Sequence, residues 1–114
     1  MADDKIGITK GDSEVIQITI TDEDGSAFDL TGYTVTMTVK KCGNEEDSDA
    51  ILQKSVTSHL NPTGGITVIE LSPTETDIVP GIYIYDVQVS KVTPVFVRTV
   101  IKDIFEVVED ITNA

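Results

Sequence analysis

Hydrophobic and polar residues alternate along most of this chain with a period of two. Between Val15 and Lys41, Ile16, Ile18 and Ile20 point to one side and Gln17, Thr19 and Thr21 to the other. After a break, Tyr33, Val35, Met37 and Val39 alternate with Thr34, Thr36, Thr38 and Lys40. This is the pattern of two half-buried β-strands. Each has one face that only another sheet can cover, so the segment predicts a sandwich or barrel rather than an isolated hairpin. Between them Asp22-Glu23-Asp24-Gly25 reads as an Asp-Gly turn, its glycine supplying the positive φ. Ala27 to Leu30 predicts a short edge segment that tucks Phe28 or Leu30 against the core.

The same period recurs on either side. Residues 5–9 place Ile6 and Ile8 on one face of a first strand, which ends at the turn Lys10-Gly11-Asp12-Ser13. Ile51–Ser58 and Ile66–Leu71, separated by Asn61-Pro62-Thr63-Gly64-Gly65, predict a hairpin. Ser72-Pro73-Thr74-Glu75 has a serine N-cap, proline at the first helical position and a glutamate that completes a capping box. It predicts one short helical turn over residues 73–78 that delivers Ile78 or Val79 to the core and ends at Pro80. In Gly81–Ser90, Tyr83, Tyr85, Val87 and Val89 share a face, and a buried tyrosine just after the turn can satisfy its hydroxyl on nearby backbone. Lys91–Pro94 reverses the chain into a last strand, Val95–Val108, whose alternation slips around Lys102-Asp103-Ile104-Phe105 and predicts a bulge or a change of sheet there. About seven strands, turn signals at short spacing and no helix beyond two turns predict an all-β, immunoglobulin-like antiparallel β-sandwich, one domain over residues 1–114.

Composition agrees. A chain of 114 residues can bury a self-sufficient core. With three Phe, three Tyr and no Trp, that core must be built mostly from Ile, Val and Leu. Twenty acids against eight bases give a net charge of −12, which argues against nucleic acid and membrane headgroups as partners and leaves cationic partners open. Cys42 is the single cysteine, so neither an intrachain disulfide nor a cysteine zinc cage is available. The N-terminal residues lack the basic and apolar regions of a secretory signal, and no apolar run approaches a membrane span. The expectation is a soluble protein made in the bacterial cytoplasm without a signal peptide.

Catalytic chemistry finds little material. Fitting Gly25 to the glycine of an EF-hand loop puts Ile20 at the first ligand position and Thr31 at the bidentate glutamate position, so that motif fails. His59, the single histidine, is framed by no nucleophile context and reads as a surface residue rather than a general base. Acids near Cys42 raise a thiol pKa and make it a poor nucleophile. Gly64-Gly65 precedes a strand rather than a helix and is no phosphate loop. No catalytic residue, cofactor or metal site is expected. The candidate interaction loops are the two acidic ones, Asp22, Glu23 and Asp24 in the first and Glu45, Glu46, Asp47 and Asp49 in the second.

Lys10-Gly11-Asp12 before an Ile/Thr strand, Thr21-Asp22-Glu23-Asp24-Gly25 followed by Asp29-Leu30-Thr31-Gly32, and Pro80-Gly81-Ile82-Tyr83-Ile84-Tyr85-Asp86-Val87 together form a pattern that covers nearly the whole chain. It resembles the immunoglobulin-like phage and prophage proteins similar to the N-terminal part of the upper baseplate protein of phages of Gram-positive bacteria. Asp103 stands where that family often has a glycine. The resemblance implies a non-enzymatic virion structural protein of tail, baseplate or head, acting in assembly or attachment through contacts with other virion proteins, often as a homo-oligomer. The alternative is a bacterial immunoglobulin-like surface adhesion or carbohydrate-binding module.

Overall fold

A computed structural model describes residues 5–41, 50–93 and 95–109. They form seven strands and, among the described residues, no helix: β1 (Ile6–Thr9), β2 (Glu14–Thr19), β3 (Thr34–Lys41), β4 (Ala50–Val56), β5 (Ile66–Leu71), β6 (Gly81–Val92) and β7 (Val95–Val108). A five-stranded sheet has the order β1-β7-β6-β3-β4, and β2 and β5 pair as a two-stranded sheet.

The alternation assigns the inward faces as expected. Val35, Met37 and Val39 from β3, Tyr83, Tyr85, Val87 and Val89 from β6, and Phe105 and Val107 from β7 join Ile18, Ile69 and Leu71 of the smaller sheet in one core cluster. Phe28 and Leu30 are both buried in it, while Ile78, and not Val79, packs against it from the turn. Thr67 also lies on the inward face of β5 and is fully buried.

Four expectations are corrected. The larger sheet is mixed, because β1 runs parallel to β7, Ile6 opposite Phe105 through Thr9 opposite Val108; the other pairs are antiparallel. A parallel pair needs a long crossover, and here nearly the whole chain is that connection. Secondly, β4 and β5 are no hairpin: β4 pairs with β3 and β5 with β2, so residues 57–65 carry the chain from one sheet to the other. Thirdly, the irregularity of β7 comes earlier than the sequence suggests. Val87 faces Ile101 while Gln88 faces Thr99, which makes Val100 the extra residue of a bulge. Phe96 is thereby half-buried before it and Phe105 buried after it.

Finally, the capping box forms but caps no helix. The Ser72 amide donates to the Glu75 carboxylate (2.9 Å) and the Glu75 amide to Ser72 Oγ (3.2 Å). Thr76 N reaches Ser72 O at 3.0 Å, yet Ile78 N turns to Thr76 O at 2.7 Å, so one hydrogen-bonded turn is closed and not continued. The nearby Tyr83 hydroxyl donates to the Val79 carbonyl, the local satisfaction foreseen for a tyrosine at this place.

Three backbone hydrogen bonds hold the crossing segments. Ile20 N donates to Gly65 O (2.8 Å), Phe28 N to Ile20 O (3.0 Å) and Leu30 N to Pro62 O (2.8 Å). Gly65 has φ +72, and a Cβ there would stand 2.3 Å from the Ile20 carbonyl oxygen and 2.9 Å from that of Phe28. Backbone cannot yield as a side-chain tip can, so Gly65→Ala should destabilise the fold by more than about 2 kcal/mol. Urea denaturation should show the midpoint falling with little change in slope.

Candidate functional site

The first acidic loop is built as a turn. Thr21 bridges Ala27, Asp22 N donates to Ser26 O at 2.7 Å, and Gly25, at φ 88, donates to Asp22 O at 2.9 Å. Asp24 Oδ1 accepts from Ser26 Oγ (2.6 Å) and Ser26 N (3.0 Å), bonds that hold its carboxyl below the usual carboxylate range. Asp29 repeats the device with Thr31 Oγ1 (2.7 Å) and Thr31 N (2.9 Å), with the same effect. Both carboxylates close their own turns. Asp22 and Glu23 remain on the surface, lining a cleft of about 240 Å³ with Thr21, Arg98, Thr99 and Val100. Glu45, Glu46, Asp47 and Asp49 lie outside the described residues. Among the described residues no three His, Cys, Asp or Glu side chains gather as a metal site.

His59 is not the surface residue that its place beside a proline-glycine turn suggests. Its ring is half-buried, Nδ1 lies 2.8 Å from Thr67 Oγ1, and Nε2 lies 2.8 Å from the Tyr33 carbonyl oxygen. A carbonyl only accepts, so Nε2 carries a proton and donates. The ring thus pins β5 to the residue that leads into β3, one sheet to the other, with both nitrogens occupied. No periodicity could have shown this, since the contact joins residues far apart in sequence.

The surface feature that alternation alone understated is the end of the β6–β7 hairpin. Val92 faces Val95 across the reversal and Val97 follows on the same side; they are 85%, 81% and 62% exposed. The other side of the hairpin is anchored. Phe96 packs edge-on to Tyr33 with centroids 5.6 Å apart, Tyr33 likewise to Phe28 at 5.2 Å, and Lys91 and Arg98 lie over Tyr33 and Phe96 at 4.7 and 5.3 Å. Three exposed β-branched side chains therefore stand on a rigid base. At the other end of the larger sheet a pocket of about 340 Å³ is lined by Lys41, Ile51, Asp77, Ile78, Val79 and Tyr83.

Residues 1–78 match the model of the BppU N-terminal domain. The chain belongs to this family. The family comprises N-terminal domains of phage baseplate upper proteins, so this chain is a baseplate-type structural domain of a virion, one that meets other virion proteins. No curated protein matches it. The BppU match takes in β1 to β5 and the capping-box turn, while the β6–β7 hairpin lies beyond it.

Two outcomes follow from these bonds. His59→Ala would leave the Tyr33 carbonyl and a buried Thr67 hydroxyl unpaired and should cost about 1–3 kcal/mol in urea denaturation. Glu75 accepts from Lys54 Nζ (2.7 Å) and from Ser72 N (2.9 Å), which hold its carboxyl below the ordinary 4.5. A carboxyl depressed on folding contributes stability above its unfolded value and loses it as pH falls through the folded one. The urea midpoint should therefore drop below about pH 4.5, and Glu75→Gln, which lacks this contribution, should lower the neutral midpoint and flatten that acid limb.

Proposed function

We propose that this chain is a single immunoglobulin-like sandwich domain that acts without catalysis, as an assembly or attachment module of a phage or prophage baseplate or tail, and that it self-associates within that assembly. The family match carries the reading. The two sheets that share one core, and the Tyr83 hydroxyl bound to the Val79 carbonyl, support the immunoglobulin-like part of it. A net charge of −12 disfavours nucleic acid as the partner. His59 has both ring nitrogens engaged in structural bonds, which weighs against a general base. The rival reading, a carbohydrate-binding or adhesion module, needs aromatic faces open for stacking. Here Tyr83, Tyr85 and Phe105 are buried, while Phe28, Tyr33 and Phe96 pack on one another.

Size-exclusion chromatography with light scattering, run on the chain mixed with the virion proteins encoded beside it, should give a complex of fixed stoichiometry. Failure to bind any of them, or a specific ligand on a glycan array, would overturn the reading.

A further inference from the structure

We infer that Asp24-Gly25 is a latent modification site, an aspartate whose side-chain carboxyl can isomerise into the main chain and which Ser26 keeps from doing so.

Sequence singles the pair out. Asp24 is the one aspartate or asparagine of the chain that is followed by glycine. A residue without a Cβ lets its amide nitrogen approach the preceding carboxyl carbon with the least hindrance. Residues 21–27 are exposed, so water has access to the reacting atoms.

The reaction needs no cofactor and no oxidant. The Gly25 nitrogen gives up its proton and attacks Asp24 Cγ, forming an N–Cγ bond, while the carboxyl hydroxyl leaves with that proton as water. Water then opens the resulting cyclic imide at either carbonyl. Opening at the side-chain carbonyl restores aspartate; opening at the main-chain carbonyl leaves the backbone running through Cβ and Cγ, longer by a single atom. Only the neutral acid can shed its hydroxyl as water, so the ionised carboxylate does not react.

The turn withholds each requirement. Gly25 N donates to Asp22 O at 2.9 Å and Asp22 N to Ser26 O at 2.7 Å, which ties the nucleophile into a closed turn. Asp24 Oδ1 is held by Ser26 Oγ at 2.6 Å and Ser26 N at 3.0 Å, so the carboxyl is bonded to residue 26 rather than free to swing onto Gly25. Both bonds favour the charged carboxylate, the unreactive form. Asp29 carries the same pair of bonds from Thr31 but is followed by Leu30, whose side chain is buried and whose amide donates to Pro62 O at 2.8 Å. It serves as an internal control.

The consequence reaches the core. The turn joins Ile20 to Phe28, which close on each other and on Gly65, and the Thr21–Ala27 bridge lies between them. A backbone longer by a single atom puts that bridge out of register and loosens the contacts around Gly65.

The test uses the whole chain at neutral pH in water enriched in heavy oxygen, folded in one arm and in urea above its midpoint in the other. Each imide that hydrolyses takes up one solvent oxygen, and peptide mapping by mass spectrometry reads the label and the isoaspartate at residue 24. The folded natural chain should label slowly and the unfolded chain much faster. Ser26→Ala, shown to be folded by circular dichroism, should label roughly tenfold faster than the folded natural chain, the factor that one charge-assisted hydrogen bond is worth. Ser26→Thr, which keeps the hydroxyl and the amide, should stay slow, as should Asp29 in every folded chain. If Ser26→Ala does not fold, Ser26→Cys, with its weaker thiol donor, takes its place with the same expectation. A folded natural chain that labels at the unfolded rate, a Ser26→Ala chain as slow as the natural one, or a Ser26→Thr chain as fast as Ser26→Ala would overturn the inference. The isomerised chain, once separated, should unfold at lower urea than its parent; an equal midpoint would overturn the link to Gly65.

Discussion

The fold depends on a place where backbone meets backbone too closely for any side chain. The Gly65 carbonyl accepts from the Ile20 amide, and the Ile20 carbonyl accepts from the Phe28 amide in turn, so the end of the smaller sheet, the acidic crossing segment and the 61–65 turn are held in one knot. A Cβ on Gly65 would lie 2.3 Å from a carbonyl oxygen. That constraint lets the chain leave β2 in one sheet and enter β3 in the other while burying Phe28 and Leu30 on the way. His59 makes the second tie, from a buried threonine of β5 to the carbonyl of Tyr33. Between them these contacts tie the smaller sheet and its turns to the residue that leads into β3 of the larger one.

Much of this was legible in the sequence, and what was not has a common cause. A period of two shows which side chains of a strand turn inward, and it did so for Ile16–Ile20, Tyr33–Val39 and Tyr83–Val89. It carries no information on which strand lies beside which. Two strands flanking the Asn61-Pro62-Thr63-Gly64-Gly65 turn suggest a hairpin, yet β4 and β5 belong to different sheets, because Leu30 claims the Pro62 carbonyl and Ile20 claims that of Gly65. The capping box was equally visible, since its two bonds are local. Whether a helix follows depends on the next turn, where Ile78 bonds to Thr76 and Pro80 cannot continue. His59 and the bulge at Val100 were hidden because each is defined by a partner remote in sequence.

The acidic residues show how far composition can point at a surface. Asp24 and Asp29 are spent on closing turns, and Asp22 and Glu23 share a cleft with Arg98. The charge that dominates the sequence thus marks solubility and local turn geometry as much as recognition. Exposed apolar side chains stand elsewhere, Val92, Val95 and Val97 at one end of the β6–β7 hairpin and Val79 beside the pocket at the other.

Hydrogen–deuterium exchange on the natural chain and on Gly65→Ala tests the constraint at Gly65 most directly. The substitution should speed exchange at Ile20, Phe28 and Leu30 together, the amides that close the knot. Exchange at these three amides as slow in Gly65→Ala as in the natural chain would contradict it.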